Sequence, residues 1–531
     1  MQIPVQTRSA GPHGGVFAPP CPNGRIKKER NLMRKRTSGI LLHISSLPGR
    51  FGIGDLGTPA RAFADFLHQS GQSLWQTLPL NSISPFQHFS PYSSNSSLAI
   101  SLHYLSPELL LEQDLIGESD LRFKTDNPED NQQAFRDAYR FKSTLASKAY
   151  SRYKTRGTDS QFENFCRENR HWLEDHALFI AVSESMEGKP WTEWPSPLKY
   201  RDPDALERAR QQLSGEIEKE KFIQYLLDMQ IWELRRYCRE RGIQIIGDIP
   251  FYVNQNSADV WAHPQLFKLN EDLSPSFLSG VPPDRFSSTG QLWGNPVYDW
   301  GQMAREKYRW WIDRFQRTFR LYDMVRIDHF RGFVAYWQVP NPSPNASRGE
   351  WVKSPAKEFF RTMLGHFACF PVIAEDLGSI DSDVREVMHE MRFPGTKVLL
   401  FAFDDADPEN PYLPHNLPRN CMACTGTHDT NTVKGWLETE ADEKMRDNLY
   451  RYLGRHVPDG QMHWELIRLL MMSPAQMVIT PLQDALGLGE ESRMNRPGKF
   501  EGNWLWRAPD DYARSEAVQK LGEMSRVYGR I

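Results

Sequence analysis

Eight short runs of apolar, largely β-branched residues punctuate the chain, and each breaks off into polar or charged positions. They are Gly39–Ser45, Leu74–Leu80, Ile243–Pro250, Met324–Phe330, Val372–Leu377, Lys397–Phe403, Cys421–Asp429 and Met477–Asp484. The runs are near-continuous rather than alternating, the mark of parallel strands covered on both faces. Helical patterns separate most of them. In Lys221–Glu240, apolar residues at 222, 226, 229, 234 and 237 form a stripe, and Arg241–Gly242 stops the helix before the third run. Eight strands with helices between them is the count of an α/β, (β/α)8 TIM barrel; a doubly wound open sheet is the alternative. The connection from the second run to the third is too long for one helix. Residues 105–220 are charged and helix-like, so an inserted helical subdomain is expected there. The next connection holds Gly280–Trp300, dense in Gly, Pro and aromatics without a period, and reads as an irregular active-site loop.

Residues 1–36 differ from the rest. They are rich in Gly, Pro and basic residues, with Glu29 the one acid, and hold no apolar stretch of the secretory kind. A disordered extension ahead of a catalytic domain at 37–531 is expected; a translation start at Met33 or an organelle transit peptide are the other readings. The 531 residues carry 64 Lys+Arg against 67 Asp+Glu, which offers no footprint for nucleic acid, and no apolar run approaches the roughly 18 residues of a membrane span. Six cysteines make no disulfide framework. Cys421 and Cys424 read as two buried thiols rather than a zinc or redox pair, and a cytoplasmic home fits. Sixteen Trp, 18 Tyr and 29 Phe suit a sugar-handling protein, because flat rings stack on the apolar faces of pyranoses.

In a parallel barrel the C-terminal ends of all strands face one mouth. There the runs bring Asp248, Arg326, Asp328, Glu375, His428, Asp429 and Asp484. So many charges on one rim exceed what stability needs, since a buried carboxylate is costly unless paired. Arg326 and Asp328 are two apart on one strand and so share a face, inside the barrel. The guanidinium favours an ionised aspartate, a nucleophile. Glu375 ends the neighbouring strand, about 4.8 Å away, which sets the two carboxyls about 5–5.5 Å apart, the spacing of a retaining glycosidase-type pair. A partly apolar setting beside an anion suits Glu375 to general acid work. Asp429 would hold sugar hydroxyls and stabilise the transition state.

These residues sit in motifs that resemble the 4-α-glucanotransferases (amylomaltases, disproportionating enzymes) of glycoside hydrolase family 77. The match rests on LPGRFGIGDLG (47–57), GDIPFYV (247–253), GVPPDRFSSTGQLWGNPVYDW (280–300), VRIDHFRGF (325–333), AEDLG (374–378), GTHDTNTVKGW (426–436) and RMNRPGKFEGNWLWR (493–507). The resemblance implies Asp328 as nucleophile, Glu375 as acid/base and Asp429 as transition-state stabiliser. It implies sugar contacts from Tyr92, Asp248, Phe286, Trp293, Asn295, Arg326, His329 and His428, with no metal and no cofactor. Malto-oligosaccharides and glucose would be the substrates, and the chain a monomer or homodimer. The 280–300 loop would be a lid whose Phe286, Trp293 and Tyr298 stack on acceptor rings. Arg285 and Ser288 depart from the usual lid residues, and SSNSSLAIS (93–101) from the usual small-residue pattern, which bears on acceptor preference. A plain α-glucan hydrolase using the same acids and a catalytically silent glucan-binding protein are the competing readings.

Overall fold

The computed structural model describes residues 35–531 apart from 84–88, 126–129, 158, 284–286, 379 and 500. The eight runs close into one barrel. Its strands are β1 (Thr37–Leu41), β2 (Leu74–Gln76), β3 (Gln244–Ile249), β4 (Met324–Ile327), β5 (Val372–Ala374), β6 (Gly395–Val398), β7 (Cys421–Cys424) and β8 (Met477–Pro481). Every neighbour is parallel, and β8 closes on β1 with Thr37 opposite Met477 and Leu41 opposite Pro481. Closure rules out the open sheet. The strands are shorter than the runs that announce them: β4 stops at Ile327, and Leu399–Ala402 is a 3-10 turn rather than strand. The end of each run leaves the ladder at the mouth yet stays largely buried, so apolar character outlasts the hydrogen bonding. Gly247 on β3 is dictated by packing, because a Cβ there would lie 2.1 Å from the Tyr322 ring.

Between a two-stranded hairpin (Asn81–Ile83 with Ser94–Ile100) and β3 the chain is dominated by helices, among them Asn131–Thr155, Arg170–Ser185 and Ser214–Glu240. The last feeds β3 as its stripe predicts, and Gly242, at φ +73°, makes the left-handed turn after it. Its Asp228 pairs with Arg317 and, at 2.9 Å, with Arg320, both on the helix Arg309–Leu321 that precedes β4. From the same helix buried Arg314 packs against Trp311 and donates to the Pro250 carbonyl (2.6 Å), fixing the mouth end of β3.

The described parts of the 280–300 segment hold regular structure that its composition does not suggest. Phe277–Val281 and Gln291–Pro296 are antiparallel strands of a four-stranded sheet completed by Ala335–Pro340 and Glu350–Lys353. The pattern is masked by glycines that the geometry requires: a Cβ at Gly280 would meet the Gln291 carbonyl oxygen at 2.4 Å, and Gly290 has φ +69°. At the other end of the barrel, Arg36 belongs to the fold rather than to the basic extension, since its guanidinium donates to the Ser473 carbonyl (2.7 Å) and to that of Tyr528. Beside it fully buried Arg530 donates to the carbonyls of Thr37, Leu470, Met471, Ser473 and Ala475. Cys421 and Cys424 are buried on β7 with free thiols. Among the described residues no helix is long and apolar enough to cross a membrane, and no cluster of His, Cys, Asp and Glu is set to hold a metal ion.

Candidate active site

The register of three adjacent strands assembles the centre. On β3 and β4, Asp248 lies opposite Arg326; on β4 and β5, Ile327 lies opposite Ala374, so Asp328 and Glu375 follow side by side. The backbone locks them: Asp328 N–H donates to the Ile249 carbonyl (3.1 Å) and Glu375 N–H to that of Ile327 (3.0 Å). After Asp328 the chain turns sharply through His329, which sits in the left-handed region at φ +47°, ψ +52°. That conformation is costly for a residue with a Cβ. It aims the His329 N–H at Glu375 Oε2 (2.8 Å), while Leu377 N–H reaches Oε1 (3.2 Å).

Arg326 is buried, and one nitrogen, Nη1, donates to Asp248 Oδ2 (2.7 Å) and Asp328 Oδ1 (3.0 Å). The Tyr92 hydroxyl donates to Asp248 Oδ2 (2.8 Å) and lies 2.9 Å from His428 Nε2, whose ring stacks on Tyr92. His428 Nε2 is 3.3 Å from Asp429 Oδ2, and Asn495 donates to Asp429 Oδ1 (2.6 Å). A continuous chain of polar contacts thus runs from Asp328 through Arg326, Asp248, Tyr92 and His428 to Asp429. The site is not sealed: the side chains of Asp328 and Asp429 remain 27% and 42% exposed.

The three acids have different surroundings. Loss of solvent, with the Asp328 charge adding to it against Arg326, pushes the Glu375 carboxyl up to about 7. Burial opposes ionisation of Asp429, but His428 and Asn495 overcome it and hold that carboxyl well below the usual range. Asp328 accepts directly from Arg326. Glu375 is therefore kept protonated up to about neutrality beside Asp429, which is held as an anion, and two carboxyls whose values are pushed apart suit acid-assisted displacement. Desolvation lowers His329 to about 4 and leaves it neutral. Three buried polar atoms around the cleft, Asp248 Oδ1, Tyr252 hydroxyl and His329 Nε2, have no hydrogen-bond partner.

Trp293 stands over this cleft, 38% exposed, its ring perpendicular to His329 at 4.8 Å. Asn295, on the same strand, is fixed by its N–H to Ser279 Oγ (3.2 Å). Phe286 and Arg285 lie outside the described residues; Ser288 lies in the turn beyond them. Two expectations need correcting. Tyr298 is buried and spends its hydroxyl on the Phe251 carbonyl (2.6 Å), so it supports the rim and is not open to a sugar. Asp484 leaves β8 for the helix Leu482–Ala485 and accepts from Thr425 Oγ1 (2.5 Å) and Val433 N–H (2.7 Å), a structural clasp away from the centre. Asn495 and Tyr252 were not singled out from sequence. Both lie in the recognised motifs, RMNRPG and GDIPFYV, yet neither type announces chemistry.

The family model described as 4-alpha-glucanotransferase matches residues 42–512. A 4-alpha-glucanotransferase of Aquifex aeolicus is 46% identical over 497 residues, covering 93% of this chain and 99% of that protein. One of Streptococcus pneumoniae is 40% identical over 500 residues, 94% and 98% of the two. The solved amylomaltase of Streptococcus agalactiae, in complex with acarbose, superposes with a TM-score of 0.88 at 36% identity, covering 93% of this chain and all of that one. With a match over most of its length, this chain belongs to the 4-alpha-glucanotransferase family, glycoside hydrolase family 77.

Proposed function

We propose that the protein moves segments of α-1,4-glucan from a malto-oligosaccharide donor to the 4-hydroxyl of glucose or another glucan. The observation that carries this is the adjacent pair Asp328 and Glu375, one bonded to a guanidinium and the other raised to about 7. Protonated Glu375 gives its proton to the glycosidic oxygen as an oxygen of Asp328 attacks the anomeric carbon. The bond to the leaving glucan breaks and a glycosyl ester forms on Asp328. Esterification removes the Asp328 charge, which is one cause of the raised Glu375 value, so Glu375, having given up its proton, stays ionised and is available as the base. It takes the proton of the acceptor hydroxyl, whose oxygen displaces Asp328, and the configuration is retained. Asp429, held ionised, faces the sugar hydroxyls and the developing positive charge.

Water competes with the acceptor for the ester. Orientation of a bound acceptor is worth roughly 7–11 kcal/mol in favourable cases, enough to outweigh the abundance of water. Trp293 is one surface that contributes to it. Incubation with maltotriose tests the proposal: glucose, maltopentaose and longer chains should form with almost no rise in reducing ends. Reducing ends that climb in step with maltotriose loss would make the protein a hydrolase, and intact maltotriose would make it a binding protein.

A further inference from the structure

Two tryptophans of the four-stranded sheet flank the turn that follows Asp328. His329 opens that turn and meets Trp293. Arg331, two residues on, meets Trp351 on the opposite edge strand, Glu350–Lys353, with its guanidinium carbon 4.0 Å from the ring centre. Arg331 also pairs at 3.0 Å with Asp381, from the segment that follows Glu375. The edge strand is stapled to the same turn, because Ser354 donates through N–H to the Val334 carbonyl (2.9 Å) and through Oγ to that of Gly332 (2.9 Å). Trp351 is thus attached to the two loops that bear the reacting carboxyls.

Its ring is held rather than loose. Trp337, its cross-strand partner, meets it edge-on at 5.4 Å, and Trp337 is itself fixed by donating from Nε1 to the Ala346 carbonyl (2.9 Å). Gly349 makes room, since a Cβ there would lie 2.3 Å from Trp337 Nε1. With Arg331 on one side and Trp337 at its edge, Trp351 still leaves 37% of its surface to solvent, almost the same share as Trp293. Exposing a large apolar ring whose orientation is already set costs stability and contributes little to the core, but it lowers the entropy lost on stacking a ligand. Three strand spacings separate the edges of the sheet, about 14 Å, and the register of Trp351 with Trp337, Gly280 and Leu292 puts its ring on the other face from Trp293, so a glucan that meets both rounds the turn holding His329 and Arg331. The polar ends of Lys353, Asp381 and Asp383 surround the platform, with Lys353 and Asp383 paired at 3.4 Å.

Resting on the glucanotransferase reading of the site, we propose that Trp351 is a stacking platform for an outlying glucosyl unit of a long α-1,4-glucan, beyond the subsites around Asp328. Maltotriose is too short to span both places. The test compares kcat and KM on maltotriose and on amylose for the parent, Trp351→Ala, Trp351→Leu and Trp351→Tyr. Trp351→Leu fills the space over Arg331 without a flat ring, so it separates loss of the platform from loss of packing. The Ala and Leu variants should raise KM for amylose about three- to tenfold and lower the amylose-over-maltotriose ratio of kcat/KM by the same factor. Trp351→Tyr should restore most of the ratio. An unchanged ratio in the Leu variant, or equal losses on both sugars, would overturn the platform while leaving the central site intact. A parent protein that rearranges neither sugar would instead overturn the reading of the site, and the platform with it.

Discussion

Glu375 and Asp328 are neighbours in register, yet their oxygens meet different partners, and that difference can be measured. In the folded protein Glu375 keeps its proton up to about 7, above its ordinary value of 4.5, because burial and the Asp328 charge outweigh Arg326 and the His329 N–H. The unfolded chain gives that proton up near 4.5, so between these limits the folded state binds more protons. The stability owed to Glu375 is therefore fully present below pH 4.5 and lost as the pH rises to about 7. Glu375→Gln removes this loss. It should be more stable than the parent at pH 8, by up to about 3 kcal/mol, and equal to it near pH 4.5, as read by urea unfolding at the two values. A variant less stable than the parent at pH 8 would show that the ionised Glu375 carboxylate is favoured by Arg326 and the His329 N–H more than burial penalises it, so that its folded value is not raised. The same group should set the alkaline limb of kcat/KM near pH 7. Asp328→Asn keeps the shape and removes the carboxylate proposed as the nucleophile, so turnover should fall at least about 10³-fold. With the neighbouring charge gone, the Glu375 titration should also move down. Residual turnover of more than a few per cent would remove Asp328 from its role.

The strand ends explain how much of the site could be read from sequence. Arg326, Asp328, Glu375 and His428 stand at or just past the ends of apolar runs, so counting along a strand is enough to place them in one mouth. Asn495 reaches Asp429 across 66 positions of sequence, from a segment with no period, and only the fold brings it there. Tyr298 and Asp484 mislead for a related reason. An aromatic in a Gly- and Pro-rich segment, or a carboxylate after a strand, looks available until the closed hydrogen bonds to Phe251, Thr425 and Val433 are seen. The sheet around Gly280–Trp300 was hidden because its strands are interrupted by glycines chosen for close approach rather than for alternation. That sheet carries a prediction of its own. Trp293 leans on His329 and offers its open surface to whatever enters beside the glycosyl ester. Trp293→Ala should slow transfer to a sugar more than release to water. The ratio of transfer to hydrolysis should fall about tenfold or less, the worth of one aromatic contact. Transfer and hydrolysis that fall together would assign Trp293 to the donor instead.

The helix Asn131–Thr155 and the segment that follows β1 are joined by a buried charge pair that neither partner's solvation favours. Lys142, on the helix Asn131–Thr155, is fully buried; its Nζ donates to the His103 carbonyl (2.6 Å) and lies 3.6 Å from Asp55, which follows β1. Asp55 also accepts from Gly57 N–H (2.9 Å). Burial pushes Lys142 down to about 8 and pushes Asp55 up, each against the pull of the other. Both shifts favour the neutral forms, so desolvation costs more than the attraction returns, and the pair contributes placement rather than net stability. The consequence is an asymmetry between single and double substitution. Lys142→Met leaves Asp55 buried without its cation and should cost about 3–5 kcal/mol; adding Asp55→Asn in the same chain should recover most of that loss. Urea unfolding of the single and double variants at pH 7, followed by tryptophan fluorescence, measures both. A single variant within about 0.5 kcal/mol of the parent would mean that water reaches Asp55 and that the buried pair is not what joins this helix to the barrel.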